Sequence, residues 1–194
     1  MAAPAEIFRP HVGVHLILIR DGQVLLLLRA NTGFADGSWS VPGGCLDAGE
    51  TLPKGAAREA REELGIVIEP SDLAFAHLCH HADPDGQARI GVFFATARWT
   101  GEPVNAEPGK CDKIDWFPLD DLPDDVVTYI HTGIDAYRRG HAFSLDGWPA
   151  DPPPGAPVYL HHYDLDTLRE QSAACHRAAG RPDTAAAILQ EQID

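Results

Sequence analysis

Residues 43–66 read GGCLDAGETLPKGAAREAREELGI, and their spacing organises the rest of the chain. Gly44 is followed by five residues and Glu50, then by seven more and the run Arg58-Glu59-Ala60-Arg61-Glu62-Glu63-Leu64-Gly65-Ile66. Thr51 suits an N-cap, Pro53 the first helical turn and Gly65 the stop, so a loop is expected to lead into a helix ending near Leu64. On that helix Glu59, Glu62 and Glu63 stand at i, i+3 and i+4 and share one face. Three like charges on one face repel. A hard divalent cation resolves the repulsion, because Mg²⁺ and Mn²⁺ take carboxylate oxygens. Ala57, Ala60 and Leu64 cluster on a neighbouring arc and are the expected core face. Small alanines there imply close packing on a sheet.

Before the motif, Val12–Ile19 and Gln23–Arg29 read as two strands joined by Arg20-Asp21-Gly22, and Asp-Gly is a tight-hairpin signal. Their near-continuous apolar character implies cover on both faces. Downstream, Leu73–His81 and Ile90–Trp99 read as strands separated by a turn at residues 82–86, and Ile114–Phe117 as a short strand. A helix is expected from Asp124 to Arg139. Strand hairpins mixed with helices, without a regular βαβ repeat, predict an α/β fold with a mixed sheet. Gly147–Pro157 (GWPADPPPGAP) breaks the pattern as a semi-rigid linker. The expected organisation is therefore a domain over residues 1–146, a linker over 147–157 and a C-terminal extension over 158–194. In the extension Val158–Tyr163 reads as an edge strand and the remainder as helical. So short a tail should pack on the domain or on a second subunit.

The stretch from Gly44 to Ile66 also resembles, position for position, the signature of the Nudix hydrolase family, G-x5-E-x7-R-E-U-x-E-E-x-G-U, with Ala60 as its one soft match to a bulky aliphatic U. The resemblance extends over about Pro10–Arg139. It implies an α/β/α sandwich with a mixed sheet and a loop–helix catalytic motif. It implies cleavage of compounds in which a nucleoside diphosphate is linked to another group. Glu59, Glu62 and Glu63 are then the metal ligands, joined by the Gly43 carbonyl, for Mg²⁺ with Mn²⁺ as a substitute. Glu50 and Arg58 become the pair that locks the loop onto the helix, an Arg–carboxylate fork of defined geometry. Gly44, Gly49 and Gly65 supply backbone shapes closed to other residues. Family members differ in the general base. Here Glu107, on the loop before the Ile114–Phe117 strand, and Glu62 are both candidates, and Glu107 is also a candidate ligand. Arg29 and Lys110 are candidate phosphate contacts. Trp39 is a candidate stacking residue, although core packing is the simpler role. Asp124 lies where nucleotide-sanitising relatives place acidic base-reading residues.

Composition narrows the function further. The 194 residues carry a formal net charge of −14, which argues against a nucleic acid polymer as partner but not against a small phosphate compound. The four cysteines form no CxxC, no basic leader opens the chain, and no apolar run spans a bilayer. A cytoplasmic protein with free thiols and no membrane contact is expected. Adjacent strand histidines point to opposite faces, so His80-His81 and His161-His162 argue against a zinc site. His15 reads as a core histidine. The leading expectation is a metal-dependent pyrophosphohydrolase that cleaves a nucleoside 5′-triphosphate by attack of water at phosphorus. The segment Phe75–Ala82 lacks the proline that ADP-ribose-cleaving relatives tend to carry. ADP-ribose or a nucleotide sugar is the alternative substrate. A ligand-sensing protein without catalysis is the alternative class, disfavoured because all the motif glutamates stand. A homodimer is common in the family and the tail makes one plausible.

Overall fold

A computed structural model describes residues 9–82, 87–148 and 162–164. The strands are β1 (His11–Arg20), β2 (Gln23–Arg29), β3 (Trp39–Ser40), β4 (Gly43–Cys45), β5 (Ala74–Ala82), β6 (Ala88–Thr96), β7 (Cys111–Pro118), β8 (His141–Asp146) and β9 (His162–Asp164). The helices are α1 (Leu52–Leu64) and α2 (Thr128–Arg139). Asp21 and Gly22 close the β1–β2 hairpin with positive φ, 51° and 77°, as a tight primed turn requires. β1 is the spine of the sheet. It runs parallel to β6 and antiparallel to β2 and β4, and the order runs β3-β2-β1-β6-β5-β8-β9, with β7 on β2.

The apolar runs of β1 and β2 serve two cores, one on each face. Leu16, Leu18, Leu25 and Leu27 face α1 with Ala56, Ala60 and Leu64. Ile17, Val24 and Leu26 face α2 with Phe93, Ile130 and Ile134. This is the α/β/α sandwich. On α1 the fully buried alanines are Ala56 and Ala60, while Ala57 is half-buried at the edge. The incoming loop lies on the same turn of the helix, where a Cβ at Gly55 would meet Leu46 Cδ1 at 2.8 Å and Glu50 Oε1 at 2.9 Å.

Several boundaries differ from expectation, β6 among them, which ends at Thr96 rather than Trp99, and β8 was not expected. β7 runs from Cys111 because it pairs with β2 along its whole length. α2 begins at Thr128, four residues after Asp124. Before it Asp124 and Asp125 form a turn and Val126 bridges to Trp39, with Trp39 N–H donating to Asp125 O and Val127 N–H to Trp39 O. β8 follows directly on Gly140, a left-handed C-cap, and pairs parallel with β5. His162 and Tyr163 of the expected edge strand, with Asp164 from the segment expected to be helical, form β9 on β8. The expected turn at 83–86, most of the linker and the remainder of the extension lie outside the described residues. Among the described residues no helix is long and apolar enough to cross a membrane.

Candidate active site

Thr51 has the extended backbone of an N-cap without a side-chain cap bond, and Gly65 ends α1 with φ 68°. The last turn does not end in solvent. Val104 N–H donates to Leu64 O and Ala106 N–H to Glu63 O, both at 3.0 Å. These bonds satisfy carbonyls that a helix end leaves open. They also carry Glu107 to the side of Glu63.

Arg58 is the hub of the loop–helix motif. Its Nε and Nη2 donate to Glu50 at 3.2 and 2.8 Å, its Nη1 to Glu59 at 2.8 Å and to Glu62 at 3.0 Å, and its Nη2 to the Cys45 carbonyl at 3.1 Å. Glu50 also accepts the Asp47 N–H at 2.8 Å. The fork with Glu50 is the chief reason the guanidinium is pushed well above its usual range, and Arg58 in turn holds the Glu50 carboxyl low. The expected locking pair is therefore present in the structure.

Gly44 is a glycine for a reason its position in the motif does not reveal. A Cβ there would stand 2.4 Å from Glu59 Oε1. Close approach, not a left-handed backbone, excludes a side chain. Gly43, at φ 149°, would place a Cβ 2.1 Å from the Val14 carbonyl. Gly49 and Gly65 are the two motif glycines of left-handed backbone.

The carboxylates crowd one cleft of about 340 Å³, lined by Glu59, Glu62, Glu63 and Glu107 with Arg29 and Lys110. Glu59 is buried, and burial pushes its carboxyl up while Arg58 opposes the shift. Glu63 accepts the Gly43 N–H at 2.7 Å. Burial pushes its carboxyl up to about 8; Glu59 and Glu107 add repulsion and the Gly43 N–H opposes. Glu62 is half exposed. Among the described residues no three His, Cys, Asp or Glu side chains converge as they stand on one point where an ion would sit. The carboxylates turn instead to Arg58 and to the Gly43 N–H. In donor chemistry the set fits a hard divalent cation. It is all oxygen, and the crowding of carboxylates that burial, and then mutual repulsion, pushes up at Glu59 and Glu63 is what such an ion relieves.

Lys110 Nζ grips both oxygens of Glu107 at 3.0 and 3.1 Å, and that pairing holds the ammonium charged. Arg29 Nε donates to Phe34 O at 2.9 Å and its Nη2 to Thr32 Oγ1 at 3.0 Å, which ties the 31–38 loop to the rim. Two expected substrate contacts lie elsewhere. Trp39 is 6% exposed and packs edge-on against Phe117 at 4.7 Å, with Lys113 Nζ 4.9 Å over its ring, so no free face remains for stacking. Asp124 is exposed on the loop before α2, outside the cleft. Its neighbour Asp125 lines an outer cavity with Phe34 and Tyr129.

Sequence reading missed Thr32 and Cys45, both of which line the cleft. Loop position was the only signal for either. His80 and His81 diverge as expected: His80 packs on Trp148 at 4.6 Å, and His81 bonds Asp146 at 2.6 Å.

The NUDIX domain family model matches residues 9–136. The chain is 38% identical over 150 residues to phosphatase NudJ of Escherichia coli K12, with 73% of this chain and 95% of that protein covered. It is 31% identical over 114 residues to an ADP-ribose pyrophosphatase of Methanocaldococcus jannaschii, covering 59% of this chain and only 65% of that relative's length. The solved MutT NUDIX hydrolase of Burkholderia pseudomallei superposes with a TM-score of 0.62 at 30% identity, over 66% of this chain and 98% of that one. With the motif helix, its supporting loop and the two-faced sheet all in place, the chain belongs to the Nudix hydrolase family.

Proposed function

We propose that the protein is a metal-dependent pyrophosphohydrolase acting on a nucleoside 5′-triphosphate. The observation that carries this reading is the cleft in which four carboxylates face two cations, Arg29 and Lys110, in an otherwise strongly acidic chain. Glu59, Glu62 and Glu63, with the Gly43 carbonyl, would hold Mg²⁺ or Mn²⁺, which when bound neutralises pyrophosphate charge and lowers the pKa of a water. The chain's own part is positional. Arg58 fixes Glu59 and Glu62 on the helix face, and the loop tied to the end of α1 presents Glu107. Glu107 takes the proton from the attacking water, with Glu62 as the other candidate base. Arg29 and Lys110 bind the phosphates that do not react; Lys110 then exchanges a carboxylate partner for a phosphate one. Water adds to one phosphorus, the bridging P–O bond breaks, and a nucleoside monophosphate and pyrophosphate leave.

ADP-ribose is the second reading, favoured by the name of the M. jannaschii relative. The enzyme is read as cytoplasmic, in keeping with the free thiols of Cys45, Cys79 and Cys111. A homodimer is part of the same proposal.

The test is phosphate release with Mg²⁺ or Mn²⁺ across canonical and oxidised nucleoside triphosphates, ADP-ribose and nucleotide sugars, with coupling pyrophosphatase or phosphatase. Turnover of a triphosphate, lost in Glu62→Gln, is the expected result. Turnover of ADP-ribose alone would transfer the assignment to the second reading, and no turnover of any compound would overturn both.

A further inference from the structure

The cleft does not end at the carboxylates. Cys45 lines both it and a small cavity of about 30 Å³, which is bounded by His15, His81, Arg89 and Tyr129. His81 and Tyr129 also line the outer cavity, of about 320 Å³, beside Phe34 and Asp125. The small cavity has room for about one water, so beyond the cleft only the outer cavity could take part of a substrate. Two arginines flank it, with Arg29 5.5 Å and Arg89 6.0 Å from the centre of the exposed Phe34 ring. The rest of a substrate held at the carboxylates would reach His81 from this outer cavity, past Arg29 and Phe34.

There stands a built polar group. His81 Nδ1 lies 2.6 Å from Asp146 Oδ2, and both side chains are largely buried. The pair is fixed by the sheet, because His81 and Asp146 are register partners in the parallel β5–β8 pairing. Next to Asp146, Gly147 (φ 71°) passes so near the Ala82 carbonyl that a Cβ would stand 2.0 Å from it, and this close approach holds the strand ends together. An ionised carboxylate only accepts, so Nδ1 carries the proton. In the neutral ring Nε2 is then an acceptor of fixed direction. Across the small cavity His15, 8% exposed, has a buried Nδ1 with no partner. Glycines on both sides leave its ring room, since Cβ atoms at Gly13 and Gly91 would stand 3.1 and 3.4 Å from Nε2.

We propose that His81, with its tautomer fixed by Asp146, is a specificity-determining residue that accepts a hydrogen bond from a donor on the non-reacting part of the substrate, a sugar hydroxyl or an exocyclic amino group of the base. The inference rests on the nucleoside reading of the cleft. Asp146 is a positioning residue: it acts through His81 and does not touch the ligand.

The test measures equilibrium binding of nucleoside monophosphates, which requires no turnover. AMP against IMP and CMP against UMP exchange an amino group for a carbonyl; AMP against 2′-deoxy-AMP and 3′-deoxy-AMP removes a hydroxyl. In the wild type the donor-bearing member of at least one pair should bind roughly 2- to 12-fold tighter, the worth of one net hydrogen bond. Asp146→Asn keeps the shape but allows the amide to donate to Nδ1, so the tautomer is no longer fixed, and the ratio should fall below about 2-fold. His81→Leu should do the same, and circular dichroism reports whether each variant folds. The proposal is overturned if no pair is discriminated, or if the ratio survives in both variants. Discrimination without turnover of any nucleotide would sink the pyrophosphohydrolase assignment and leave this one standing; turnover without discrimination would do the reverse.

Discussion

Gly44→Ala isolates close approach as the reason for a motif glycine. The added methyl would stand 2.4, 2.7 and 2.9 Å from Glu59 Oε1, Cδ and Oε2. To reach ordinary contact the carboxylate must recede by about 1 Å. It cannot swing freely, because it is buried and its Oε1 is bonded to Arg58. Overpacking of this kind costs about 1–3 kcal/mol of stability. A displacement of about 1 Å in a site of this type costs on the order of 10²-fold in rate. Gly49→Ala is the control. Its φ is 88° and nothing lies within 4 Å, so the change costs about 1–2 kcal/mol of backbone strain and leaves Glu59 in place. Urea denaturation and kcat with saturating Mg²⁺, measured on both variants, separate the two effects. Both should lose similar stability, and only Gly44→Ala should lose about 100-fold in kcat. If Gly44→Ala kept kcat within about threefold of wild type, or Gly49→Ala fell as far, the close-approach account would be refuted.

The carboxylate assignments have their own tests. Glu63→Gln should fold and lose at least about 100-fold in kcat, as removal of one metal-facing charge does; wild-type turnover would remove it from the ligand set. Glu107→Gln should flatten the acid limb of the pH–rate profile, and an unchanged profile would return Glu107 to an ordinary loop. Burial, helped by Arg29, lowers His15 to about 4 from 6.5, so the unfolded chain binds a proton that the folded one refuses. Stability should be intact above about pH 6.5 and fall as pH drops toward 4, by on the order of 3 kcal/mol in full. His15→Leu should remove that slope in urea denaturation at pH 7 and pH 5, and an equal slope in the variant would contradict it. Leu64→Ala, at a fully buried position, should cost about 3 kcal/mol.

The motif was legible because its signals are local. Glu59, Glu62 and Glu63 share a face by spacing alone, and Gly65 marks its own stop. The two cores were legible too, since the unbroken apolar run of Gln23–Arg29 fits only a strand covered on both faces. What could not be read depends on contacts distant in the chain. Asp146 meets His81 only because α2 carries the chain back to place β8 beside β5. Trp39 packs, the simpler of its two expected roles, but its partners Phe117 and the backbone of 125–127 are distant in the chain and could not be named from it. Asp124 and Asp125 are equivalent as letters, and only the turn that ties Asp125 to Trp39 distinguishes them. Arg58 was expected to hold Glu50; its bond to Glu62 is an i,i+4 pair that the helix spacing already allowed, whereas the bond to its neighbour Glu59 shows only in the structure.

The bonds from Val104 and Ala106 to the last carbonyls of α1 bear on how the protein opens. A helix end is ordinarily the first part to fray, independently of the loops around it. Here the final turn carrying Glu63 and the segment carrying Glu107 are joined in one cooperative unit. Opening of either should therefore loosen the other, so the two sides of the carboxylate cleft are expected to come apart together.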